Sequence, residues 1–359
     1  MQFKKTIILA AGGTGGHLFT ALALAENLTD EGNDIHLITD SRCEKYLKNN
    51  EPATVHIFKL HLKMSGIVNK FCSIFQLINI CFKTLYLIWK LKPSLVVGFG
   101  GYSSFPALLA ARILRIPYII HEQNCFLGKT NRVFASSAKV IALSYRETHN
   151  IQIYPKEKIV FTGDVVRSSI MNLPVKRKFN EEEFRLFIFG GSQGAKIFST
   201  LIPECMEELI RLDPQLKIHL TQQVSDDYKN QLTDTYNKLG IKYSLSPFFH
   251  NMAEIYAKAD LVISRGGAGT IAELTYAGIP AIFVPFPHSA DDHQYHNAKA
   301  LEDSSAGWCY RQNELTPSIL AQKIWELSQR RELLELCSRN IIARRSNGAK
   351  ILADTVLKK

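Results

Sequence analysis

The sequence lacks the cysteine spacing of a disulfide-stapled or zinc-binding protein. It contains seven cysteines, an odd number, and no two of them form a C-x-x-C arrangement. Such a set is typical of a reduced, intracellular chain and argues against structural zinc.

The features of a nucleic-acid-binding module are also missing. There is no zinc-finger spacing, no aromatic RNP-like strand and no dense basic arm. Yet 43 Lys and Arg outnumber 33 Asp and Glu, which gives a net charge of +10. This excess predicts an anionic partner. Anionic lipid and a pyrophosphate-bearing substrate are stronger candidates than nucleic acid.

No apolar run is both long and free of charge. Residues 6–11 stop at Gly12 and Gly13, so they predict a first strand and not a signal peptide. Residues 67–89 are very apolar, but only twelve residues separate Lys70 from Lys83, and a membrane span needs about twenty. Two interpretations of this segment remain: a core helix, or an interfacial patch whose lysines meet anionic lipid. Its apolar stripe consists of Phe71, Ile74, Phe75, Ile78, Phe82, Leu85 and Trp89.

Short apolar runs alternate with helical patterns along the chain, which has 359 residues and is long enough for two domains. Short, continuously apolar runs are typical of buried parallel strands. The pattern predicts two doubly wound α/β halves joined by a polar linker at 173–184, with the ligand in a cleft between them. Strands are predicted at 6–11, 34–39, 94–97, 117–121, 140–143, 158–162, 185–189, 217–220, 261–264 and 280–284.

Four glycine-rich segments follow predicted strands, at 11–17, 98–104, 190–195 and 265–270. A glycine turn before a helix lets backbone N–H groups approach a phosphate. The first is not a Walker A loop, because the terminal Gly-Lys-Ser/Thr is missing. It is not a dinucleotide fingerprint either, because Leu18 occupies the last glycine position. One such turn by itself is weak evidence, because a tight strand–helix connection has the same pattern. Four together predict a phosphate-binding cleft.

Three polar segments add candidate chemistry. Glu273 suits a ribose hydroxyl, or a capping box with Thr270 as N-cap. The loop at 287–298 has three His and two Asp, but its spacing is outside common metal patterns, so sugar or phosphate binding is favoured. Residues 121–124 (HEQN) end a predicted strand and offer acid–base groups.

Taken together and in order, these motifs resemble the MurG family of bacterial glycosyltransferases over nearly the whole chain. The matching segments are GGTGGH at 12–17, GFGGYSS at 98–104, HEQN at 121–124, GGSQGA at 190–195, SRGGAGTIAEL at 264–274 and DDHQYHNA at 291–298. The resemblance implies a GT-B fold of two Rossmann-like domains. Residues 1–166 would form the acceptor and membrane-side domain, with a C-terminal helix at about 345–359 packing back on it. Residues 167–344 would bind UDP-GlcNAc.

The same resemblance implies an inverting N-acetylglucosaminyltransferase of peptidoglycan synthesis. The donor would be UDP-GlcNAc and the acceptor lipid I, undecaprenyl-pyrophosphoryl-MurNAc-pentapeptide. The enzyme would lie peripherally on the anionic cytoplasmic face of the bacterial inner membrane, without a cofactor or a metal. Alternatives are a diacylglycerol glycosyltransferase, a nicotinamide-dependent oxidoreductase lacking a proper fingerprint, and a non-catalytic membrane scaffold.

The resemblance also implies roles for individual residues. Thr14, Gly15 and Gly16 would lie near the donor sugar and the acceptor pyrophosphate. Asn124 and Gln294 would contact the GlcNAc moiety, and Arg167 and Ser192 the donor phosphates. The backbone of Phe249 would bind uracil. The nucleoside would lie on Ala268, Gly269, Thr270, Ile271, Ala272 and Glu273, with Glu273 on the ribose.

Two residues are candidates for the general base that deprotonates the acceptor hydroxyl. His17 lies at a glycine loop and has a suitable pKa as a free side chain, and Glu122 is the second candidate. His17 could instead bind the acceptor pyrophosphate at the helix start. No D-x-D motif is present, so Arg167, Ser192 and backbone N–H groups are expected to stabilise the leaving UDP.

The chain departs from the family pattern at a few positions. Asp164 and Val165 stand where the family usually has Asn and Pro, and Thr20 stands where it usually has Pro. Gly266 and Gly269 replace bulkier residues in the nucleoside loop. These changes affect the expected loop geometry but remove no expected ligand.

Overall fold

The structure is a computed structural model that describes residues 4–47, 50–59, 67–173, 179, 182–191 and 195–359, with 67–72 described by their backbone. Residue contacts divide the chain into two compact units. The first contains Met1–Arg167 and Ser346–Lys359, and the second Ser168–Arg345. Part of the predicted linker, 174–178 and 180–181, lies outside the described residues.

The first unit is a seven-stranded parallel sheet in the order β3-β2-β1-β4-β5-β6-β7. Its strands are β1 Thr6–Ala10, β2 Asp34–Asp40, β3 Thr54–Phe58, β4 Leu95–Gly98, β5 Tyr118–Glu122, β6 Val140–Leu143 and β7 Ile159–Phe161. Its helices within 1–167 are α1 Gly15–Asp30, α2 Ile67–Leu91, α3 Gly101–Ile113 and α4 Lys129–Ala135. The central strands β1 and β4 are mostly apolar and buried, as expected of a parallel sheet with helices on both faces.

The C-terminal helix belongs to the first unit by contact and packs on α1. It is the last helix of the chain, α13, Gly348–Leu357. Leu352 and Val356 are buried, and Lys5 Nζ donates to the Leu357 carbonyl at 2.9 Å. Gly348 lies against the backbone of Asp164, where a Cβ would collide with the Asp164 carbonyl. This close approach explains why the helix begins on a glycine.

The second unit is a six-stranded parallel sheet in the order β10-β9-β8-β11-β12-β13. Its strands are β8 Phe184–Phe189, β9 Ile218–Gln223, β10 Lys242–Ser246, β11 Leu261–Ser264, β12 Ala281–Phe283 and β13 Trp308–Cys309. Its helices are α5 Ser168–Met171, α6 Phe198–Leu212, α7 Asp226–Lys238, α8 Met252–Lys258, α9 Ala268–Ala277, α10 His293–Glu302, α11 Pro317–Gln329 and α12 Arg331–Ile342.

The predicted fold class, two parallel doubly wound α/β halves, is confirmed. Strands β6 and β11 have their predicted bounds, and the other predicted strands differ by one to three residues at one or both ends. Three strands escaped prediction: β3, β10 and β13. The first two are edge strands with half-exposed residues, and β13 has only two residues, so none has a continuous apolar run.

Helix α2 turns its apolar stripe outward. Ile74, Phe75, Ile78, Phe82 and Trp89 are all exposed, with Phe75 at 73% and Phe82 at 67%. The buried face of the helix is a different one and consists of Ser73, Ile80, Thr84 and Ile88. Both interpretations therefore apply to different faces of α2: most of the stripe is exposed, whereas Leu85 packs against the core of the unit. The side chain of Phe71 lies outside the described residues. By length and composition, Ser73–Leu91 is apolar enough to cross a membrane, and only a small part of it is buried.

Candidate active site

Each sheet has one topological switch point, where neighbouring strands continue to opposite sides. In the first unit it lies between β1 and β4, and in the second between β8 and β11. Loops that leave such a pair diverge and open a crevice at the carboxyl ends of the strands. All four predicted glycine segments follow these four strands. The sequence could not show this pairing, because β1 and β4 are about ninety residues apart.

The first glycine loop joins β1 to α1. Gly13 has φ of +82°, a conformation that favours glycine, and Thr14 is the N-cap in an extended conformation. Helix α1 then begins with Gly15 and Gly16, whose N–H groups lie in its first turn. Thr20 is the residue that departs from the expected proline, and its hydroxyl donates to the Gly16 carbonyl at 2.8 Å. The loop therefore keeps a helix start suited to anions.

His17 lies beside both glycine loops of the first unit. Thr14 Oγ1 and His17 Nδ1 are 2.9 Å apart, a hydrogen bond that orients the ring. On the other side, a Cβ at Gly101 would lie 3.7 Å from His17 Cε1. Gly101 begins α3 after β4 with φ of +68°. The half-buried imidazole is thus held at the switch point.

Glu122, at the end of β5, is buried and surrounded by donors. Its Oε1 accepts from the backbone and side-chain nitrogens of Asn124 at 3.1 and 3.0 Å. Its Oε2 accepts from Gly128 N and Asn131 Nδ2, both at 2.8 Å. Burial raises the pKa of Glu122, and these hydrogen bonds oppose that rise. Both carboxyl oxygens are used in shaping the loop that carries Asn124.

Arg167 is the last residue of the contiguous part of the first unit. Its guanidinium stacks over the Phe19 ring of α1, with Cζ 4.3 Å from the centroid. The residues before it turn at Gly163, which has φ of +75°. The structure therefore places Arg167 next to the helix that starts at the first glycine loop.

In the second unit, the loop after β8 contains Ser192, which lies outside the described residues with 193–194. Gly190 N donates to Gln223 Oε1 at 3.1 Å, and Gly191 has φ of +78°. These contacts fix the start of the loop.

The loop after β11 leads into α9, whose N-cap is Gly267. The alternative in which Thr270 is the N-cap is therefore wrong: Thr270 already lies inside the first turn, because the helix starts at Ala268. The structure explains why residue 266 is a glycine, because a Cβ there would collide with the Gln294 carbonyl. The segment Ala268–Glu273 forms the first turns of α9 and includes Gly269, Ile271 and Ala272.

Aromatic packing links Phe249 to Glu273. The ring of Phe249 meets Phe187 edge-on at 5.6 Å, and Phe187 meets Tyr256 at 6.1 Å. The hydroxyl of Tyr256 donates to Glu273 Oε2 at 3.0 Å. The structure thus brings together the predicted base-binding and ribose-binding residues through Phe187 and Tyr256.

Gln294, on α10, is oriented by its own amide oxygen, which accepts from Phe286 N at 2.9 Å. Arg265 supports the same loop from below: its Nη1 donates to the carbonyls of Val284 and Pro285 at 2.9 and 3.2 Å. Burial lowers the pKa of Arg265 to about 10.

No three His, Cys, Asp or Glu side chains come together as metal ligands in the part of the chain that the structure describes. In the loop at 287–298, Asp292 pairs with Arg311 at 2.9 Å. Arg311 also stacks over Tyr295, 3.6 Å from its centroid. One aspartate of this loop is therefore neutralised by an arginine.

Sequence reasoning missed several supporting residues, above all Asn131, Tyr256 and Arg265. Asn131 and Tyr256 lie outside every motif quoted above, whereas Arg265 begins the glycine segment 265–270 but was given no role of its own. Their contacts come from other segments of the chain.

Two family models match the chain. The glycosyltransferase family 28 N-terminal domain matches residues 7–143, and the glycosyltransferase family 28 C-terminal domain matches residues 185–354. Together they cover most of both units.

Curated relatives match the chain over nearly its whole length. The chain is 47% identical over 355 residues to a Rickettsia bellii protein and 49% identical over 353 residues to a Rickettsia canadensis protein. Each match covers 98% of this chain and 99% of the relative. Both relatives are named UDP-N-acetylglucosamine--N-acetylmuramyl-(pentapeptide) pyrophosphoryl-undecaprenol N-acetylglucosamine transferase.

Solved structures share the fold. The crystal structure of Acinetobacter baumannii MurG superposes with a TM-score of 0.77 at 29% identity, covering 99% of this chain and 100% of that one. A UDP-GlcNAc 2-epimerase from Neisseria meningitidis, bound to UDP-GlcNAc, gives a TM-score of 0.67 at 14% identity, with 99% and 100% covered. The second likeness concerns the fold alone.

Proposed function

This chain belongs to glycosyltransferase family 28, and we propose that it transfers N-acetylglucosamine from UDP-GlcNAc to the 4-hydroxyl of lipid I, forming lipid II for peptidoglycan synthesis. The observation that carries the proposal is the full-length identity to relatives named for this transfer. The two switch-point sites support it, because the reaction needs places for two phosphorylated substrates.

We assign the donor to the second unit. The start of α9 and the Phe249 backbone would hold the nucleoside, with Glu273 on the ribose. The hydrogen bond from Tyr256 leaves Glu273 as an oriented carboxylate, suited to accept from a hydroxyl. Gln294 presents its amide nitrogen as the remaining donor for a GlcNAc hydroxyl, since its oxygen is taken by Phe286 N.

We assign the acceptor pyrophosphate to the first unit, at the N–H groups of Gly15 and Gly16 and at Thr14. Asn124, held by Glu122, would contact the transferred sugar. Arg167 and Ser192 stay our predictions for the donor phosphates. The stacking of Arg167 on Phe19 holds the planar guanidinium beside the helix that starts at the first glycine loop.

In the inverting step, the acceptor 4-oxygen bonds to the anomeric carbon as the bond from that carbon to UDP breaks. We assign His17 as the base. In the tautomer whose Nδ1–H donates to Thr14, Nε2 has the lone pair that takes the hydroxyl proton. Glu122 suits the positioning of Asn124 better than proton transfer, because donors surround both its oxygens.

We also propose that α2 rests on the anionic membrane that carries the lipid acceptor. Its exposed aromatic and aliphatic side chains form a strip suited to the interface, and Lys83 and Lys90 are exposed on the same helix. The net charge of +10 acts in the same direction.

The experiment is transfer of labelled GlcNAc from UDP-GlcNAc to a lipid I analogue, with UDP-glucose and a diacylglycerol acceptor in parallel. We expect product with UDP-GlcNAc and lipid I only. Product on diacylglycerol instead would keep the nucleotide site and overturn the cell-wall function.

A further inference from the structure

A buried carboxylate lies beneath the first glycine loop, outside every motif considered so far. Asp40 is the last residue of β2 and is 1% exposed. Its Oδ2 accepts from Gly13 N at 2.6 Å and from Ser103 Oγ at 2.5 Å. Gly13 belongs to the loop after β1, and Ser103 to the first turn of α3 after β4. One carboxylate therefore ties together both loops of the switch point.

The same carboxylate holds an arginine. Arg42 Nε donates to Asp40 Oδ1 at 2.8 Å and Nη2 to Oδ2 at 3.0 Å, a two-point contact that fixes the guanidinium plane. The backbone N–H of Arg42 also donates to Oδ1, at 3.0 Å. Tyr102 stacks on the other side, with its centroid 4.4 Å from Cζ. Arg42 thus has little rotational freedom left.

The glycine loop rests directly on this pair. A Cβ at Gly12 would lie 2.5 Å from Asp40 Oδ2, and one at Gly13 would lie 2.9 Å from Arg42 Nη2. These close contacts explain why positions 12 and 13 are glycines, because a side chain at either position would collide with the pair. They also place the guanidinium beside the turn that leads into α1.

The charges of the pair are not equally accessible. The side chain of Asp40 is 2% exposed and that of Arg42 is 37% exposed. The carboxylate is therefore covered by its donors, while part of the cation remains in contact with solvent. Beside Gly13, the pair presents its positive side, in the same place as the N-terminus of α1.

We propose that Arg42 binds a phosphate of the acceptor pyrophosphate and that Asp40 is the positioning residue that orients it and the first glycine loop. This inference rests on the proposed function and adds a side-chain cation to the backbone donors already assigned. An arginine held in one orientation recognises phosphate with little entropy loss.

The test compares wild type, Arg42→Ala, Arg42→Lys and Asp40→Asn on two acceptor analogues, one linked through pyrophosphate and one through a single phosphate. Arg112→Ala, which removes a charge at the far end of α3, is the matched control. For Arg42→Ala we expect an acceptor KM raised about tenfold or more on the pyrophosphate analogue. The UDP-GlcNAc KM should stay within about twofold, and the preference for pyrophosphate over monophosphate should shrink.

Arg42→Lys should recover part of the loss, because it keeps the charge without the two-point contact. Asp40→Asn should shift the acceptor KM in the same direction as Arg42→Ala. Equal losses on both analogues, or an unchanged acceptor KM in Arg42→Ala, would overturn the inference while leaving the transfer activity of the wild type intact. A wild type that transfers nothing to either analogue would overturn the proposed function, and this inference with it.

Discussion

At the scale of single residues, the candidate site separates two titratable groups by their surroundings. His17 is half-buried, and a hydrogen bond from one side holds its ring. Glu122 is buried and receives four hydrogen bonds from three residues. A base must reach its substrate, whereas a residue that organises a loop must be saturated. The geometry favours His17 for the proton transfer.

Replacing His17 with alanine tests this assignment. We expect His17→Ala to lower kcat by about 10²- to 10⁴-fold, the usual contribution of a general base. UDP binding, measured by calorimetry, should not change, because the nucleoside residues belong to the second unit. Activity retained within a few-fold would exclude His17 as the base.

A second histidine gives a prediction for stability. His121 is fully buried at the end of β5, and burial lowers its pKa to about 3 from the ordinary 6.5. Above pH 6.5, His121 is neutral in both the folded and the unfolded chain, so its titration does not change the free energy of unfolding. As the pH falls from 6.5 towards 3, the unfolded chain gains a proton that the folded chain does not, so stability is lost at about 1.4 kcal/mol per pH unit.

His121→Leu removes this titration. Denaturant melts of the variant between pH 6.5 and 4 should show a shallower loss of unfolding free energy than wild type. The absolute stability at pH 7 is not the criterion, since leucine also changes the packing. Parallel pH slopes for the two proteins would contradict the prediction.

At the scale of elements, α2 shows why hydrophobicity and burial differ. The helix packs through Ser73, Ile80, Thr84 and Ile88, and a separate strip of large apolar side chains faces outward. Exposed apolar strips of this size mark interaction surfaces. A membrane with anionic headgroups fits both the apolar strip and the lysines.

Two substitutions on this strip test the membrane contact. Phe75→Asp with Phe82→Asp should weaken binding to phosphatidylglycerol vesicles, since each exposed phenylalanine contributes about 2 kcal/mol when it inserts. Transfer to a short-chain, water-soluble acceptor should be unchanged. A charge-matched control is Asn79→Asp with Lys59→Asn, which alters charge at exposed polar positions only. If the double Phe→Asp variant co-sediments with the vesicles as well as wild type does, α2 is not the membrane contact.

At the scale of the whole molecule, the first unit is completed by the end of the chain. Helix α13 packs on α1, the helix that starts at the first glycine loop. Leu352, Ala353 and Val356 are buried in this contact region. The last residues therefore support the element that we assign to the acceptor.

Truncating one of these side chains tests that support. Leu352→Ala should lower the unfolding free energy by about 2–5 kcal/mol, the usual cost of a cavity left by a buried leucine. Calorimetry should show the loss in the transition of the first unit. The matched control is Ile351→Ala, a neighbouring exposed side chain, which should change stability by less than about 1 kcal/mol. Equal effects of the two variants would show that the contact is unimportant.

Local patterns in the sequence were enough for the fold class, for the strands with continuous apolar runs and for the four glycine loops. A parallel strand that is buried between helices has a continuous apolar run, which can be read from the sequence. A glycine turn likewise depends on only a few consecutive residues. Edge strands and the outward stripe of α2 were not predictable in this way, because half-exposed strands lack the run and helical periodicity does not say which face packs.

By itself, the sequence determined the two doubly wound halves, the four glycine-rich loops and the family. Only the tertiary structure decided which loops share a switch point, that Glu122 is saturated by donors, that Gly266 must admit the Gln294 carbonyl, and that Asp40 joins Gly13, Ser103 and Arg42. The physical reason is that periodicity and turn chemistry act between near neighbours, whereas these contacts join segments that meet only after the strands are ordered in the sheet.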